Sequence, residues 1–302
     1  MTIPQALAMG AVQGLTEFLP VSSSAHLYVV PKLMGWPYPG IGFDVALHWG
    51  TLLALVVSFG STWAKLFRDA FSSDNAVAHE ARQTWLKIVV ASIPTAVAGV
   101  LLRHAAETAL RNLPIQAIML FVFGMLLWWV DRVSPQSDYR LVPGWRTSVL
   151  VGFAQVLSLV PGVSRSGITI TAGRAARESR VTAARFSFLL AAPITLGAGL
   201  LEIRNLRGDI GPGVLFAGIA SSTIVGWLAI RGLLRWLGRG GFGGFFLYRT
   251  LLAVVIVIHL VQSRPASAGA FPLRQAFREV AVEPVAQENA RTVKSRLHRR
   301  DG

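Results

Sequence analysis

Residues 13–26 read QGLTEFLPVSSSAH, and residues 161–167 read PGVSRSG. Each run forms the polar centre of a longer apolar stretch, 3–34 in the first case and 147–172 in the second. Pro4, Glu17, Pro20, Ser22, Ser23, Ser24, His26 and Pro31 interrupt the first stretch; Gln155, Ser158, Pro161, Ser164, Arg165 and Ser166 interrupt the second. A continuous membrane-crossing helix does not tolerate so many polar and Pro breaks. Irregular backbone at membrane depth survives only where protein buries it or water lines it. Both stretches are therefore expected to be re-entrant hairpins that dip into the bilayer and turn back.

The composition around them supports a membrane setting. Of the 302 residues 53% are hydrophobic and only 15% charged, against about 25% charged in an ordinary soluble domain. Mean hydropathy is +0.52. The chain has no cysteine, which excludes disulfides, Cys-based zinc sites, thiol nucleophiles and iron–sulfur clusters. The net charge of +14 could suggest nucleic acid, but its placement argues otherwise. Eight of the 29 Lys and Arg fall in the last 39 residues, and most others lie in short gaps between apolar runs with no aromatic–basic stripe. No nucleic-acid partner is expected.

Six runs are apolar enough to span, about 20 residues being needed per helix: 41–59, 85–102, 114–130, 186–201, 213–230 and 245–262. Lys and Arg counts in the five gaps alternate as 4, 2, 3, 2 and 3. The positive-inside rule then places gaps one, three and five in the cytoplasm. Arg174, Arg177, Arg180 and Arg185 join the third gap if the second hairpin does not cross. The amino terminus lacks a basic region, and Glu17 interrupts its apolar run, so a cleavable signal peptide is not expected.

A shift of 142 residues aligns the two hairpins. Gly10 falls on Gly152, Gln13 on Gln155, Leu15 on Leu157, Thr16 on Ser158, Val21 on Val163, Ser22 on Ser164, Ser24 on Ser166 and Ala25 on Gly167. Each hairpin is followed by three spans, and the two start on opposite sides of the membrane. The expected fold is an all-α polytopic membrane protein of six transmembrane helices and two re-entrant helical hairpins in an inverted-topology repeat. Repeat one covers about 1–130 and repeat two about 147–263, in a single membrane domain 1–263. Residues 264–302 form a basic polar tail. The two tips should meet near the midplane, where polar groups must pair or contact a polar ligand.

Gln13 and Glu17 are four apart and share a helix face. Two oxygen-bearing side chains on one face suit a hard divalent cation shared with phosphate oxygens; Gln13 taken alone reads as a structural hydrogen-bonder. Ser23 and His26 are three apart, a nucleophile–base pair in principle, and His26 could equally be nucleophile or acid. A lone serine run in a membrane helix usually packs or bonds to carbonyls; beside Glu17 and His26 it gains weight. Arg165 at the end of a half-span is costly unless it meets an anion, and its guanidinium matches phosphate in a bidentate way. Snorkelling to the interface is the alternative. Flanking Ser164, Ser166 and Gly167 supply small donors and close backbone approach. Asp44 and His48, also four apart, read preferentially as capping or hydrogen-bonding at the outer end of the first span, with support of the site residues or a proton route as the alternatives. The ligand these groups imply is a phosphate-bearing molecule with a lipid tail.

The two motifs, in order and spacing over about residues 3–262, closely resemble the undecaprenyl-diphosphatase family of the bacitracin-resistance type. The resemblance implies a multi-pass protein of the bacterial inner membrane that removes the terminal phosphate of undecaprenyl diphosphate and so recycles the lipid carrier of cell-wall synthesis. It implies re-entrant hairpins, a site opening to the periplasm, and a divalent cation, Mg or Ca. By position, Gln13 and Glu17 match the family's metal or catalytic motif, with Gln13 where some relatives carry Glu. Ser23 matches its candidate nucleophile with Ser22 beside it, His26 its essential histidine, and Ser164, Arg165, Ser166 and Gly167 its phosphate-binding tip. The lipid phosphatases that follow a Ser-Arg motif with a nearby His do not match, since the next histidine after Arg165 is His259. A transporter or flippase of a lipid phosphate using the same midplane site is the alternative function, and a scaffold binding partners through its tail a third. Homodimerisation is left open.

Overall fold

Thr2 caps the first helix. Its hydroxyl accepts from the Gln5 backbone while its own N–H donates to the Gln5 side chain, a reciprocal arrangement that satisfies two end groups of a helix. The helix, α1 (Ile3–Phe18), stops where Pro20 forces Leu19 into extended backbone. The computed structural model describes residues 1–38, 40–102, 112–135, 139–202 and 210–262. Within these follow α2 (Ser23–Met34), α3 (Ile41–Ala70), α4 (Asn75–Leu101) and α5 (Leu113–Val133). After them come α6 (Trp145–Gln155), which tightens into a 3-10 turn over Val156–Leu159, α7 (Arg165–Ala175), α8 (Arg180–Leu201), α9 (Pro212–Leu237) and α10 (Gly243–Gln262). The basic tail and the gap residues Arg103, His104, Arg111, Arg204 and Arg207 lie outside the described residues.

The described residues are helical throughout apart from short connections. Six helices, α3, α4, α5, α8, α9 and α10, are long and apolar enough to cross a membrane, and each matches one of the runs read from the sequence, α4 ending one residue short of its run. This is a multi-pass membrane protein. Large apolar side chains line its outside, Phe216 being 75% exposed and Val57 63% exposed, which lipid accommodates and water would not. The helices overrun the apolar runs where polar caps set their ends. Asp74 caps α4, which starts ten residues ahead of the apolar run, and α3 continues to Ala70. Helices α1, α2, α6 and α7 have 16, 12, 11 and 11 residues, about 16–24 Å at 1.5 Å per residue. None of the four reaches across a hydrocarbon core of about 30 Å.

Packing follows a regular exchange. Helix α1 packs on α9 and α6 on α4, while α3 packs on α9 and α8 on α4. Helices α5 and α10 pack on each other, as do α3 and α8. Replacing each helix by the one five places later turns this set of contacts into itself. The two hairpin seats are equally tight. A Cβ on Gly10 would lie 2.4 Å from Gly218 O, and one on Gly152 would lie 2.5 Å from Ala91 O. Only glycine lets the backbones approach so closely. The core between them is aromatic and aliphatic, with Phe18 edge-on to Phe188 at 5.5 Å.

Arg174, counted from the sequence among the gap charges, is fully buried. It donates to Asp131 Oδ1 (2.9 Å) and to the carbonyls of Asp131, Ser134, Pro135 and Glu178, while Arg180 reaches the same Asp131 oxygen at 2.7 Å. This clasp joins the ends of α5, α7 and α8.

Candidate active site

The two tips reverse direction in the same way. Ser22 has φ 73° and Ser164 φ 75°, left-handed values that L-residues seldom adopt. Each kinked serine is followed at once by a helix start, α2 at Ser23 and α7 at Arg165. Helix starts carry free N–H groups and a partial positive charge, which favours anions. Ser164 Oγ accepts from Gly167 N at 3.2 Å. Ser22 Oγ lies 3.2 Å from Ser24 Oγ, and Ser164 Oγ lies 3.3 Å from Ser166 Oγ.

Arg249 of α10 holds the tips together. It is 0% exposed and donates to Pro20 O of the first tip (3.2 Å) and to Gly162 O (2.8 Å) and Val163 O (3.1 Å) of the second. It also reaches Leu120 O and Met119 O on α5. Ser166 Oγ adds a direct link to Leu19 O at 3.1 Å. Five carbonyls thus surround one guanidinium, which compensates a charge that burial alone would make very costly.

The polar side chains converge on Glu17. Its Oε1 accepts from Arg165 Nη2 at 2.5 Å, across 148 positions of sequence. Its Oε2 accepts from Ser23 Oγ at 2.5 Å and from Gln13 Nε2 at 3.1 Å. His48 Nε2 stands 3.7 Å from the same oxygen. Arg165 is further aimed by Ala191 O (3.1 Å) and Thr195 Oγ1 (3.2 Å) on α8. Glu17, Ser23, His48, Arg165 and Thr195, with Ser22, Ser24, Ser158 and Ser164, line an open cleft between the tips, whose walls are α3 and α8.

The structure therefore brings Glu17, Ser22, Ser23, Ser164 and Arg165 to one cleft, with Gln13 bonded behind Glu17. Ser166 turns to the Leu19 carbonyl, and Gly167 packs against Arg249 and Ser164. His26 is placed differently. Its Nδ1 bonds Ser22 O at 2.7 Å and its Nε2 bonds Tyr248 Oη at 2.7 Å, the two rings lying parallel at 5.6 Å. Ser23 bonds Glu17 instead of His26. His48 Nδ1 bonds the backbone carbonyl of Asp44 one turn earlier in α3 (2.7 Å), and the ring also faces the cleft. Asp44 accepts from Tyr38 Oη at 2.6 Å.

Among the described residues no group of three or more His, Asp or Glu converges to hold a metal ion. The oxygen donors beside Glu17 are nevertheless suited to one. Gln13 is fully buried, and its Oε1 has no hydrogen-bond partner while its Nε2 is tied to Glu17. One carboxylate and one unmatched amide oxygen fit a hard cation that takes most of its ligands from phosphate.

Residues 6–255 match the family model described as bacitracin resistance protein BacA. The chain belongs to this family. It is 44% identical over 259 residues to an undecaprenyl-diphosphatase of Pelotomaculum thermopropionicum, covering 85% of this chain and 97% of the relative. A protein of the same description from Gemmatimonas aurantiaca is 45% identical over 261 residues, with the same coverage. One from Chromohalobacter salexigens is 41% identical over 257 residues, covering 83% and 97%.

Three members of the site were not singled out from the sequence. Arg249 carries the clearest signal, a charge inside the apolar run 245–262 like Glu17 in its own run. Thr195 and Tyr248 carry none, because hydroxyls in apolar helices are common and their partners lie far away in sequence.

Proposed function

We propose that this chain is an integral-membrane phosphatase that hydrolyses undecaprenyl diphosphate to the monophosphate and inorganic phosphate. The supporting observation is the Glu17–Ser23–Arg165 cluster, a hydroxyl, a carboxylate and a guanidinium assembled from two hairpins in an apolar setting. The relatives are described as diphosphatases of this lipid, which disfavours a transporter or flippase.

The positive-inside assignment puts the amino end of α3 and the carboxyl end of α8 outside. His48 and Val45 on α3, Thr195 and Ala198 on α8, and Glu202 just past the end of α8 line the cleft near those ends. In the inner membrane the cleft then opens to the periplasm, and the short helices α1, α2, α6 and α7 enter and return as re-entrant hairpins. A diphosphate headgroup reaches this opening while its prenyl chain stays in the lipid.

Glu17 and Arg165 neutralise each other at rest. An arriving diphosphate competes for the guanidinium, and phosphate oxygens replace the Glu17 oxygen on Arg165. The amino ends of α2 and α7, with Ser22 and Ser164, add N–H and O–H donors to the terminal phosphoryl group. Glu17, released from Arg165, takes the Ser23 proton. Ser23 Oγ bonds to the terminal phosphorus as the bridging P–O bond breaks, and undecaprenyl phosphate departs. Water then attacks the phosphorus; as the Ser23 Oγ–P bond breaks, protonated Glu17 returns its proton to Ser23 Oγ, and the proton of the attacking water leaves with the phosphate or by way of His48. His48, with Nδ1 occupied by the Asp44 carbonyl, directs Nε2 at Glu17 and can hand protons to bulk water. Gln13 and Glu17 would hold a divalent cation, Mg or Ca, which when bound supplies further neutralisation of phosphate charge. His26 supports the tip from behind, fixing Ser22 to α10 through Tyr248.

The test is phosphate release from undecaprenyl diphosphate by purified protein, with rapid quench and mass mapping of labelled phosphate. The expected result is label on Ser23 and loss of turnover in Ser23→Ala. Normal turnover in Ser23→Ala, or label on His26, would overturn the assignment.

A further inference from the structure

The walls of the hairpin cleft, α3 and α8, also form a second cleft at their opposite ends. Ser58 and Thr62 on α3 and Arg185 on α8 line it, with Trp227, Arg231 and Arg235 on α9. Ser58 is ten residues along α3 from His48 and Arg185 nine residues along α8 from Ile194, so the two clefts are about 14–15 Å apart at 1.5 Å per residue. Lys65 and Arg68 near the end of α3 mark this as the cytoplasmic side.

Three guanidinium groups face this hollow and no carboxylate lines it. Among the described residues none of the three has an ion-pair partner. Two polar atoms are buried there without a hydrogen bond, Arg185 Nε and Ser58 Oγ. Arg185 is otherwise held in place, donating to Tyr139 Oη at 2.8 Å with its guanidinium over that ring. Arg231 lies over Trp227 at 4.6 Å. Arginines that only snorkel extend to water and solvate every N–H. A buried N–H with no acceptor, beside a buried hydroxyl and two more cations, matches a ligand bearing several oxygens and negative charge. The flanks are lipid-facing, Val57 being 63% exposed and Leu228 54%, so the ligand carries an apolar chain beside its charged head.

We propose that this inner cleft is a second phosphate site that binds the headgroup of an anionic lipid. It does not depend on the phosphatase reading, because it shares no residue with the hairpin cleft. Arg185 and Ser58 take the phosphate oxygens, Arg231 and Arg235 close over the charge from α9, and Trp227 supports the first carbons of the chain.

The full-length protein in uncharged detergent is titrated calorimetrically with dioctanoyl phosphatidic acid, dioctanoylglycerol and inorganic phosphate. The variant is Arg231→Gln/Arg235→Gln, both residues being exposed, so that folding is not at stake. Phosphatidic acid is expected to bind, and its affinity to fall about tenfold or more in the double variant, as loss of charge-assisted hydrogen bonds predicts. Dioctanoylglycerol should not bind. Inorganic phosphate should bind the same site only weakly; if it binds as tightly as phosphatidic acid and is lost in the same variant, the anion site stands but the lipid assignment falls. The proposal is overturned if the double variant binds phosphatidic acid as tightly as the unaltered protein, or if dioctanoylglycerol binds equally well.

Discussion

Ser22 and Ser164 occupy the same place in the two hairpin tips, with φ of 73° and 75°, each 3.2–3.3 Å from the second serine of its tip. Gln13 and Gln155 are both fully buried, and Gly10 and Gly152 make equivalent close contacts. The side chains that carry chemistry do not match. The shift that aligns the serines sets Glu17 against Leu159, Ser23 against Arg165 and His26 against Ile168. Residues that shape the turn are shared, and residues that would react or bind are divided between the tips. One backbone design, used twice, thus yields a site with a carboxylate on one side and a cation on the other.

Arg249 has no counterpart in this pairing and serves both tips, so its loss should have the largest effect on the structure they share. Arg249→Met leaves carbonyls of both tips and of α5 without donors, and should lower stability by about 3 kcal/mol or more. Thermal unfolding in detergent measures this. Arg249→Lys, with a single ammonium, should recover only part of the loss.

The division of chemistry is tested next. Glu17→Gln keeps the shape of the first tip and removes its charge, and should reduce phosphate release by about 10²–10³-fold, with a lower unfolding temperature as well because the Arg165 guanidinium loses its carboxylate. Arg165→Lys in the other tip should cost about tenfold or more, since the ammonium cannot bridge two oxygens. Equal tolerance of both substitutions in a turnover assay would mean that the reacting groups lie elsewhere.

Shared shape predicts matched losses at the hairpin seats. Gly10→Ala and Gly152→Ala place a methyl against backbone in each case, and each should destabilise by about 1–3 kcal/mol. Unequal losses in parallel melts would show that the two seats are not equivalent. The smallest effect belongs to the asymmetric support behind the first tip. Tyr248→Phe deletes one hydrogen bond to His26 and should cost about 1 kcal/mol of stability with turnover largely kept, read by the same melt and assay.

Much of this was legible in the sequence. Apolar length revealed all six spans because lipid imposes it directly. The polar, Pro-broken centres at 13–26 and 161–167 located both tips, but the alignment set Arg165 against Ser23, and its contact with Glu17 emerges only from the structure. Helix ends were not legible from hydropathy, because α3 and α4 run on into polar surroundings, where caps such as Asp74 set the boundary. The direction of His26 was not legible either. Three-residue spacing puts Ser23 and His26 on neighbouring faces, but Ser23 is the first residue of α2 and leans back to Glu17, while His26 follows the helix toward Tyr248. Only the position of α10, more than 200 residues later, determines that choice.

Each hairpin has its seat in the opposite half, α1 on α9 and α6 on α4. During synthesis α6 leaves the ribosome to find α4 already inserted. Helix α1 is made long before α9, and its groove there does not exist until residues 212–237 have been translated. The hairpin bearing Glu17 and the serines therefore emerges well ahead of its seat, so a chain that stops short of α9 cannot assemble the site.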